Sequence, residues 1–149
     1  MNDILIRDYL EDDLQAVIAL TAVWEGEQIS IGVRADMPED LCGCRIWVAE
    51  QGGQIVGFAA GREERSTRKS AVLAENERYF ELEELYVLPE MRRCGIGDML
   101  FAHAEAFARE SGFSHMLLST STRDTAAMLR FYVQKQNMQV WSMRLFKEL

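Results

Sequence analysis

The chain has 149 residues, of which 48% are hydrophobic and 27% charged, a composition that suits one folded domain spanning 1–149 and excludes a disordered protein. Its net charge of −8 disfavours nucleic acid and anionic membranes as partners, because both reward basic surfaces, but it is compatible with a cationic substrate. No apolar run approaches the roughly 20 residues that span a bilayer, and the acidic N-terminus is unlike a signal peptide, so we expect a cytoplasmic protein.

The first half of the sequence alternates between strand and helix patterns. Leu14, Val17, Ile18 and Thr21 recur at helical spacing, whereas Gly52-Gly53 between two apolar runs indicates a hairpin turn. The predicted elements are a strand at 4–9, a helix at 11–24, a mixed loop at 25–45 with a short helix opened by Pro38, and hairpin strands at 45–50 and 54–63.

The second half begins with a charged connection at 64–78, which we expect to be mobile. Arg109 in the last turn of a helical stripe and Gly112 just after it are typical of a helix C-terminus. The predicted elements are a strand at 79–87, a helix at 97–111, a strand at 113–121, a helix at 124–136 and a last strand at 138–149. This order predicts a mixed α/β fold.

The cysteines give no sign of a disulfide framework or a metal site. Cys42, Cys44 and Cys94 are odd in number, and neither His103 nor His115 is near the Cys-Gly-Cys spacing. Because a zinc site usually needs four clustered ligands, we expect no metal.

The turn between the predicted strand 79–87 and the following helix carries the most specific pattern. Gly95 and Gly97 allow a tight turn whose free N–H groups, together with the helix dipole, suit a phosphate group. Arg92 and Arg93 add positive charge. The turn lacks the Gly-Lys-Ser/Thr of a Walker A loop, and Leu100 stands where a dinucleotide fingerprint has its third glycine.

The pattern Val87-x-Pro89-x-x-Arg92-x-x-Gly95-x-Gly97 resembles the acetyl-CoA signature of the GNAT N-acetyltransferase superfamily, whose core is Arg/Gln-x-x-Gly-x-Gly/Ala. The stretches ILIRDYLEDDLQAV, GFAAGRE and AAMLRFYVQKQNM are similar to further elements of that family, in the same order. The resemblance implies a central, mixed but mostly antiparallel sheet, flanked by helices and splayed between strands 79–87 and 113–121.

The resemblance also implies where acetyl-CoA, the expected co-substrate, would bind. Its pyrophosphate would lie on the turn formed by Arg92, Arg93, Cys94, Gly95, Ile96, Gly97 and Asp98, and its pantetheine arm along the backbone of Leu85, Tyr86 and Val87. A backbone N–H near Val87 would polarise the thioester carbonyl. Three positions depart from the family pattern. Thr125, counted among the cofactor contacts, replaces a frequent Asn, Asn137-Met138 replaces Gly-Phe, and Asp98 adds an acid beside the pyrophosphate.

Three glutamates lie within the predicted strand 79–87. In a regular strand Glu81 and Glu83 share one face and Glu84 lies on the other, so at least one carboxylate should point into the protein or a cleft. Such a group can bind an ammonium and help remove its proton. Glu83-Glu84 resembles the acid pair of spermidine/spermine acetyltransferases, and Glu84 matches an acid of aminoglycoside acetyltransferases. A bulge in this strand would bring both to the cleft. The alternative is that Glu81 and Glu83 are solvated or paired with arginines.

Two aromatic residues are further candidates. By resemblance, Tyr132 would protonate the departing thiolate of CoA, although it could instead be a core aromatic. Trp24 and Glu25, together with Glu81, are candidates for contacts to a cationic substrate, and packing of Trp24 is the alternative.

The resemblance therefore predicts an acetyl-CoA-dependent N-acetyltransferase that acts by direct attack of a small cationic amine, such as a polyamine or aminoglycoside. A protein amino group is the alternative acceptor, and a CoA-binding module without turnover is the alternative function. The family also suggests a homodimer through the last strand.

Overall fold

The computed structural model describes residues 3–149. Its strands are β1 (Ile4–Asp8), β2 (Arg45–Gln51), β3 (Gln54–Arg65), β4 (Arg78–Val87) and β5 (Met116–Leu118). Its helices are α1 (Leu14–Glu27), α2 (Ile96–Glu110) and α3 (Thr125–Met128), which continues as a π-helical segment (Leu129–Lys135). Short 3₁₀ turns lie at Glu11–Asp13 and Pro89–Met91. None of the helices in the described chain is long and apolar enough to cross a membrane.

Within the described residues, the five strands form one sheet in the order β1-β2-β3-β4-β5. The first four strands are antiparallel, and β5 runs parallel to β4. Gly52 and Gly53 both have positive φ and close the hairpin of β2 and β3, as predicted. β5 pairs with β4 only from Phe80 to Leu82, so the two strands separate beyond that point. The predicted mixed α/β fold and its splayed sheet are confirmed.

Helices cover both faces of the sheet. α2 packs its buried residues Leu100, Phe101 and Ala104 on one face, around Phe80 and Leu82. α1 contributes Val17 and Leu20 to a second cluster on the other face, which contains Phe58 and Tyr86. The apolar positions of each helix, spaced by three or four residues, form the stripe that it buries.

A β-bulge in β4 changes which residues share a face. Ala60 of β3 lies opposite Glu84, but the next residue, Gly61, lies opposite Leu82, so Glu83 is the extra residue. Leu82 and Leu85 therefore both pack on the α2 side, although an odd number of positions, three, lies from one to the other and a regular strand would place them on opposite faces. The expectation that the acids fall on both faces is corrected, because the bulge turns Glu84 away from the α2 core.

The last predicted strand, 138–149, is not present. These residues have no regular secondary structure, and Trp141, Leu145 and Phe146 are exposed. The alternating apolar pattern favours an extended chain, but a strand also needs a neighbouring edge for its backbone hydrogen bonds, and 138–149 is not registered with any strand of the described sheet.

Other predicted boundaries shift. The strand 113–121 shortens to β5, and turns rather than a helix follow Pro38. The helix predicted at 124–136 is α-helical only to Met128. The connection 64–78, which was expected to be mobile, is held by contacts of its own. The backbone of Ser66 forms hydrogen bonds with Glu77 and Asn76, and Leu73 is buried.

Candidate active site

A pocket of about 690 Å³ lies where β4 and β5 separate. The end of β4 and the start of α2 form one wall, and the helix that carries Tyr132 forms another. The segment 29–36, called the covering segment below, lines the pocket on a further side. It is fixed to the far wall by the Ile31 N–H, which donates to Ser121 at 2.8 Å, and by the Arg123 N–H, which donates to Ile29 at 2.9 Å.

The backbone of β4 faces this pocket beyond the bulge. Before the bulge, the Phe80 N–H donates to His115 next to β5. After the bulge, the Leu88 N–H donates to Val56 of β3. Because successive N–H groups of a strand point in opposite directions, the N–H of Val87 points away from β3, toward the pocket. The bulge thus leaves the backbone of residues 85–87 available to an extended ligand.

The turn before α2 presents a helix N-terminus to the pocket. Gly95 has a φ of +81°, and no protein atom lies within 4 Å of a Cβ built on it. The first hydrogen bond of α2 runs from Met99 to Gly95, so the N–H groups of Ile96, Gly97 and Asp98 precede any acceptor within the helix. The sequence prediction that main-chain donors gather here agrees with this geometry.

Arg92 is held by the protein itself. Its Nη2 is 2.6 Å from Glu27 Oε2, and its Nε donates to the Val87 carbonyl at 2.9 Å. Tyr86 also donates its hydroxyl to Glu27. Although burial disfavours the charged form, these two hydrogen bonds lower the pKa of Glu27. Arg92 therefore joins the end of α1 to the end of β4, while the neighbouring Arg93 is exposed at the pocket.

The negative charge of Asp98 is compensated by neighbouring side chains. Lys135 Nζ and Gln136 Nε2 each lie 2.7 Å from the Asp98 carboxylate. The Asp98 carboxylate thus links the π-helical segment to α2, and its negative charge is paired with the Lys135 cation beside the turn.

Two carboxyl groups meet at the other end of the pocket. Glu84 of β4 and Asp36 of the covering segment lie within hydrogen-bonding range of each other. Burial, followed by the charge and the hydrogen bond of Asp36, raises the pKa of Glu84 to about 8. Burial also raises the pKa of Asp36. A carboxyl group that holds its proton to near neutral pH is suited to exchange protons with a ligand.

Glu83 lines the same pocket but has a cation of its own. Arg62 Nε lies 2.9 Å from Glu83 Oε1, and the thiol of Cys44 is 3.6 Å from Glu83 Oε2. The pKa of Cys44 rises to about 11, chiefly through burial, so this thiol stays protonated. The bulge thus brings both Glu83 and Glu84 to the pocket, as predicted, and of the two Glu84 has no cation paired with it among the described residues.

Tyr132 lines the pocket from the helical wall. Its ring meets Phe131 edge to face at a centroid distance of 4.9 Å, and Phe131 in turn contacts Phe101 of α2. Burial raises the pKa of Tyr132 to about 12, so its hydroxyl keeps its proton. The residue lies in the π-helical segment, a feature that often occurs at functional sites.

Trp24 lines the pocket, whereas Glu25 and Glu81 do not. The Trp24 ring stacks on Tyr86 at 5.1 Å. Glu25 accepts a hydrogen bond from the Ala35 N–H at 3.0 Å and thereby supports the covering segment. Glu81 precedes the bulge, where Leu82 rather than an acid reaches the pocket.

Two predicted cofactor contacts also lie outside the pocket lining. Cys94 is exposed, with its thiol 3.6 Å from the carbonyl of Arg92. Thr125 is exposed at the start of α3, where Asp124 caps the helix by accepting from Ala127 at 2.9 Å. The other predicted positions, which are Leu85, Tyr86, Val87, Arg92, Arg93, Gly95, Ile96, Gly97 and Asp98, all line the pocket.

Sequence reasoning missed Asp36 and Lys135, and it did not foresee that Glu27 pairs with Arg92. Each lies far along the chain from its partner, so no local spacing reveals the pairing. The one signal for Asp36 was its place two residues before Pro38, in a loop that had no assigned role.

The sequence matches the model of the acetyltransferase (GNAT) family over residues 5–138. The chain belongs to this family. As an N-acetyltransferase, it uses acetyl-CoA as its co-substrate. No curated protein matches it significantly in sequence. The part of the chain that the structure describes contains no cluster of three or more metal-ligating side chains.

Solved structures share the fold at low identity. An acetyltransferase of Trypanosoma brucei is 21% identical, with a TM-score of 0.71 over 99% of this chain and 100% of that one. A transcriptional regulator from Bacillus halodurans C-125 is 20% identical, with a TM-score of 0.73 over the same shares. The aminoglycoside N-acetyltransferase AAC(6')-Iy, in complex with CoA, is 19% identical, with a TM-score of 0.70 over 100% of this chain and 96% of that one.

Proposed function

We propose that this GNAT acetyltransferase transfers the acetyl group to a small cationic amine by direct attack of the amine. The observation that carries the proposal is a single pocket with main-chain donors at one end and the half-buried carboxyl group of Glu84 at the other. Anionic phosphates suit the first end, and an ammonium group suits the second.

The residues present fit acetyl-CoA, which supplies an activated acetyl group as a thioester when it is bound. The N–H groups at the start of α2 would hold the diphosphate, and the open space beside Gly95 leaves room for it. The exposed Arg93 would add positive charge. The backbone of Leu85 and Val87, turned toward the pocket by the bulge, would pair with the pantetheine arm.

Glu84 is the group that we propose to take a proton from the substrate. A primary amine has a pKa near about 10 and arrives as an ammonium, which cannot attack until it is deprotonated. A carboxylate with a pKa of about 8 is a much stronger base than an ordinary Glu near 4.5. Glu83 is proposed as an acid that helps to attract the cation, in spite of its pairing with Arg62.

Tyr132 is the group that we propose to donate a proton to the leaving sulfur. Because its hydroxyl remains protonated, it is in the donor form over the whole physiological pH range. Trp24 would offer its ring to the cationic acceptor.

A protein amino group is the second candidate acceptor, but the cover over the pocket favours a small molecule. Segment 29–36 is bonded across the pocket to residues 121–123, which narrows the approach to Glu84. Aminoglycosides are the substrates named for several proteins of similar fold. A CoA-binding module without turnover is the third candidate, and the protonated Glu84 and Tyr132 in one pocket argue against it.

We also propose a homodimer, built through residues 138–149. Val140, Trp141, Leu145 and Phe146 are exposed at the end of the chain, and apolar patches of this kind mark contact surfaces. Light scattering coupled to size exclusion would measure the mass in solution. A monomer at micromolar concentration would contradict this proposal. A cytoplasmic location also stays a prediction.

The experiment that tests the function measures thiol release from acetyl-CoA with a panel of acceptors. Spermidine, sisomicin and a lysine-containing peptide represent polyamines, aminoglycosides and proteins. We expect turnover with one of the first two. Turnover with the peptide alone would favour the second candidate, and tight CoA binding without any turnover would favour the third.

A further inference from the structure

We propose that Asp36 is a second carboxyl group of the amine-binding site, which shares one proton with Glu84 in the free enzyme and releases it when an ammonium group binds. This inference rests on the proposed function of the pocket and adds to it a residue and a proton count.

Asp36 is held in place by its own backbone. Its N–H donates to the hydroxyl of Thr21 at 2.8 Å, and Thr21 is fully buried in α1. The preceding residue, Ala35, donates its N–H to Glu25. Because two side chains of α1 fix this short stretch, the carboxyl group of Asp36 is positioned toward β4.

One oxygen of Asp36 has no hydrogen-bond partner. Oδ2 is shielded from solvent, and nothing in residues 3–149 hydrogen-bonds to it. A buried carboxylate oxygen without a donor is costly, so a native structure normally supplies one. Because Asp36 and Glu84 both line the pocket, a ligand with several N–H donors would satisfy it.

The charged groups around the pair favour a shared proton. Asp40, four residues beyond Asp36, and Glu83 from β4 add negative charge. Arg62 of β3 is engaged by Glu83, and the thiol of Cys44 is neutral.

The remaining pocket cations lie elsewhere or are exposed. Lys135 is paired with Asp98 at the other end, Arg92 is paired with Glu27, and Arg34 and Arg93 are exposed to solvent. Two adjacent carboxylates that are partly removed from water cannot both ionise easily, so the pair keeps one proton.

The proton count follows from this arrangement. The free pair carries one proton and one negative charge. An incoming ammonium brings a positive charge that compensates the second carboxylate, and the shared proton leaves to solvent. The doubly ionised pair then has a vacant site for one proton of the ammonium, and the amine lone pair becomes available for attack. Every proton is accounted for, and no further reactant is required.

This arrangement favours primary ammonium groups over neutral acceptors. An ammonium has three N–H donors and can serve both carboxyl groups at once. An uncharged hydroxyl group has one donor and would leave two negative charges uncompensated in a poorly hydrated site.

Carboxyl ¹³C NMR of the free protein tests the shared proton without any substrate. We expect the Glu84 signal to titrate near pH 8 and to move down by at least one pH unit in Asp36→Asn. The reciprocal variant, Glu84→Gln, should lower the pH at which Asp36 titrates. This second variant keeps the test valid if Asp36→Asn does not fold. Glu39→Gln, which removes an exposed acid of the same loop, should leave Glu84 unchanged. Titration of Glu84 at the same pH in the wild type and Asp36→Asn would overturn the pair.

Calorimetry of amine binding tests the release. Spermidine and sisomicin are titrated at pH 7 into the wild type and Asp36→Asn in PIPES and in ACES, two buffers of different ionisation enthalpy. We expect about one proton released per bound amine in the wild type and no more than about half a proton in Asp36→Asn. Equal release in both proteins, or no heat of binding with either amine, would overturn the role of Asp36 in amine binding.

The two failures are distinguishable. If the NMR coupling is present but no amine is acetylated, the proposed function fails while the carboxyl pair stands. If amines are acetylated but Glu84 and Asp36 titrate independently, the inference fails while the function stands.

Discussion

The two ends of the pocket are built in different ways. The end proposed for the diphosphate comes from one continuous stretch, 85–98, and uses main-chain groups of a bulged strand, a turn and a helix start. The acceptor end uses side chains from separate parts of the chain, among them Trp24, Asp36 and Glu84. A site made of contiguous backbone can be predicted from the spacing of neighbouring residues, whereas a site made of side chains depends on how distant elements pack.

The comparison also separates what each end contributes chemically. Under the proposed function, backbone donors at the start of α2 would bind the diphosphate, so this end would set the affinity for the acetyl donor. Because the carboxyl groups at the other end have raised pKa values, we propose that this end sets proton transfer and the choice of acceptor. Variants at one end should therefore leave the function of the other end intact.

The largest effect is expected at the acceptor end. Glu84→Gln removes the proposed base and should lower kcat by about 100-fold or more, while the CoA affinity measured by calorimetry stays unchanged. The matched control is Glu81→Gln, an acid of the same strand outside the pocket lining. Equal losses of kcat in Glu84→Gln and Glu81→Gln would contradict a specific role for Glu84.

At the donor end, Gly95→Val should lower CoA affinity by about 100-fold, because the turn cannot keep its positive φ with a β-branched residue and its charge-assisted hydrogen bonds are lost. Gly112→Val introduces the same strain at a φ of +78°, also with open space, at the far end of α2. The comparison breaks down if both variants bind CoA alike, since strain alone would then explain the result.

Tyr132 lies between the two ends and gives an intermediate test. Tyr132→Phe keeps the ring packing against Phe131 but removes the hydroxyl, so kcat should fall by about 10- to 100-fold with CoA affinity within about twofold. Tyr79→Phe serves as the control at the start of β4. Full activity of Tyr132→Phe in steady-state assays would remove its proposed role.

The altered pKa values predict a pH dependence of stability. Since the pKa of Glu84 is raised above its unfolded value, its contribution to stability is present below about pH 4.5 and is lost as the pH rises toward about 8. The free energy of unfolding in urea should fall across this window by up to about 1.4 kcal/mol per pH unit. Glu84→Gln should flatten this fall, and an unchanged slope would argue against a buried carboxyl group.

The smallest effect concerns the compensated acid near the turn. Lys135→Met leaves Asp98 with one fewer cationic partner beside the proposed diphosphate, so CoA affinity should fall by about 3- to 5-fold. Lys69→Met, an exposed lysine of the 66–77 loop, is the control. A tighter complex in Lys135→Met would contradict this view of Asp98.

The sequence was sufficient for most of the fold and for the geometry of the turn before α2, because both depend on local patterns. The Gly52-Gly53 hairpin, the stripe of α2 and the turn at Gly95 are set by neighbouring residues, and each formed as predicted. The bulge was anticipated only as a condition for bringing Glu83 and Glu84 together, since one inserted residue leaves no mark in a polar strand.

The failures have a common physical cause, which is dependence on a distant partner. Residues 138–149 have the alternation of a strand but are not registered with any described strand. Glu25 is an acid next to Trp24, but its carboxylate accepts a hydrogen bond from the Ala35 N–H and does not line the pocket. Asp36 meets Glu84 across 48 positions of the sequence, and only the packing of segment 29–36 over the pocket brings them together.

A crystal structure with bound CoA is the most direct test of the division between the two ends. We predict diphosphate oxygens within hydrogen-bonding distance of the N–H groups at the start of α2, with the sulfur atom reaching the part of the pocket that contains Glu84 and Tyr132. A diphosphate bound away from this turn, or a sulfur atom directed away from Glu84, would contradict the account.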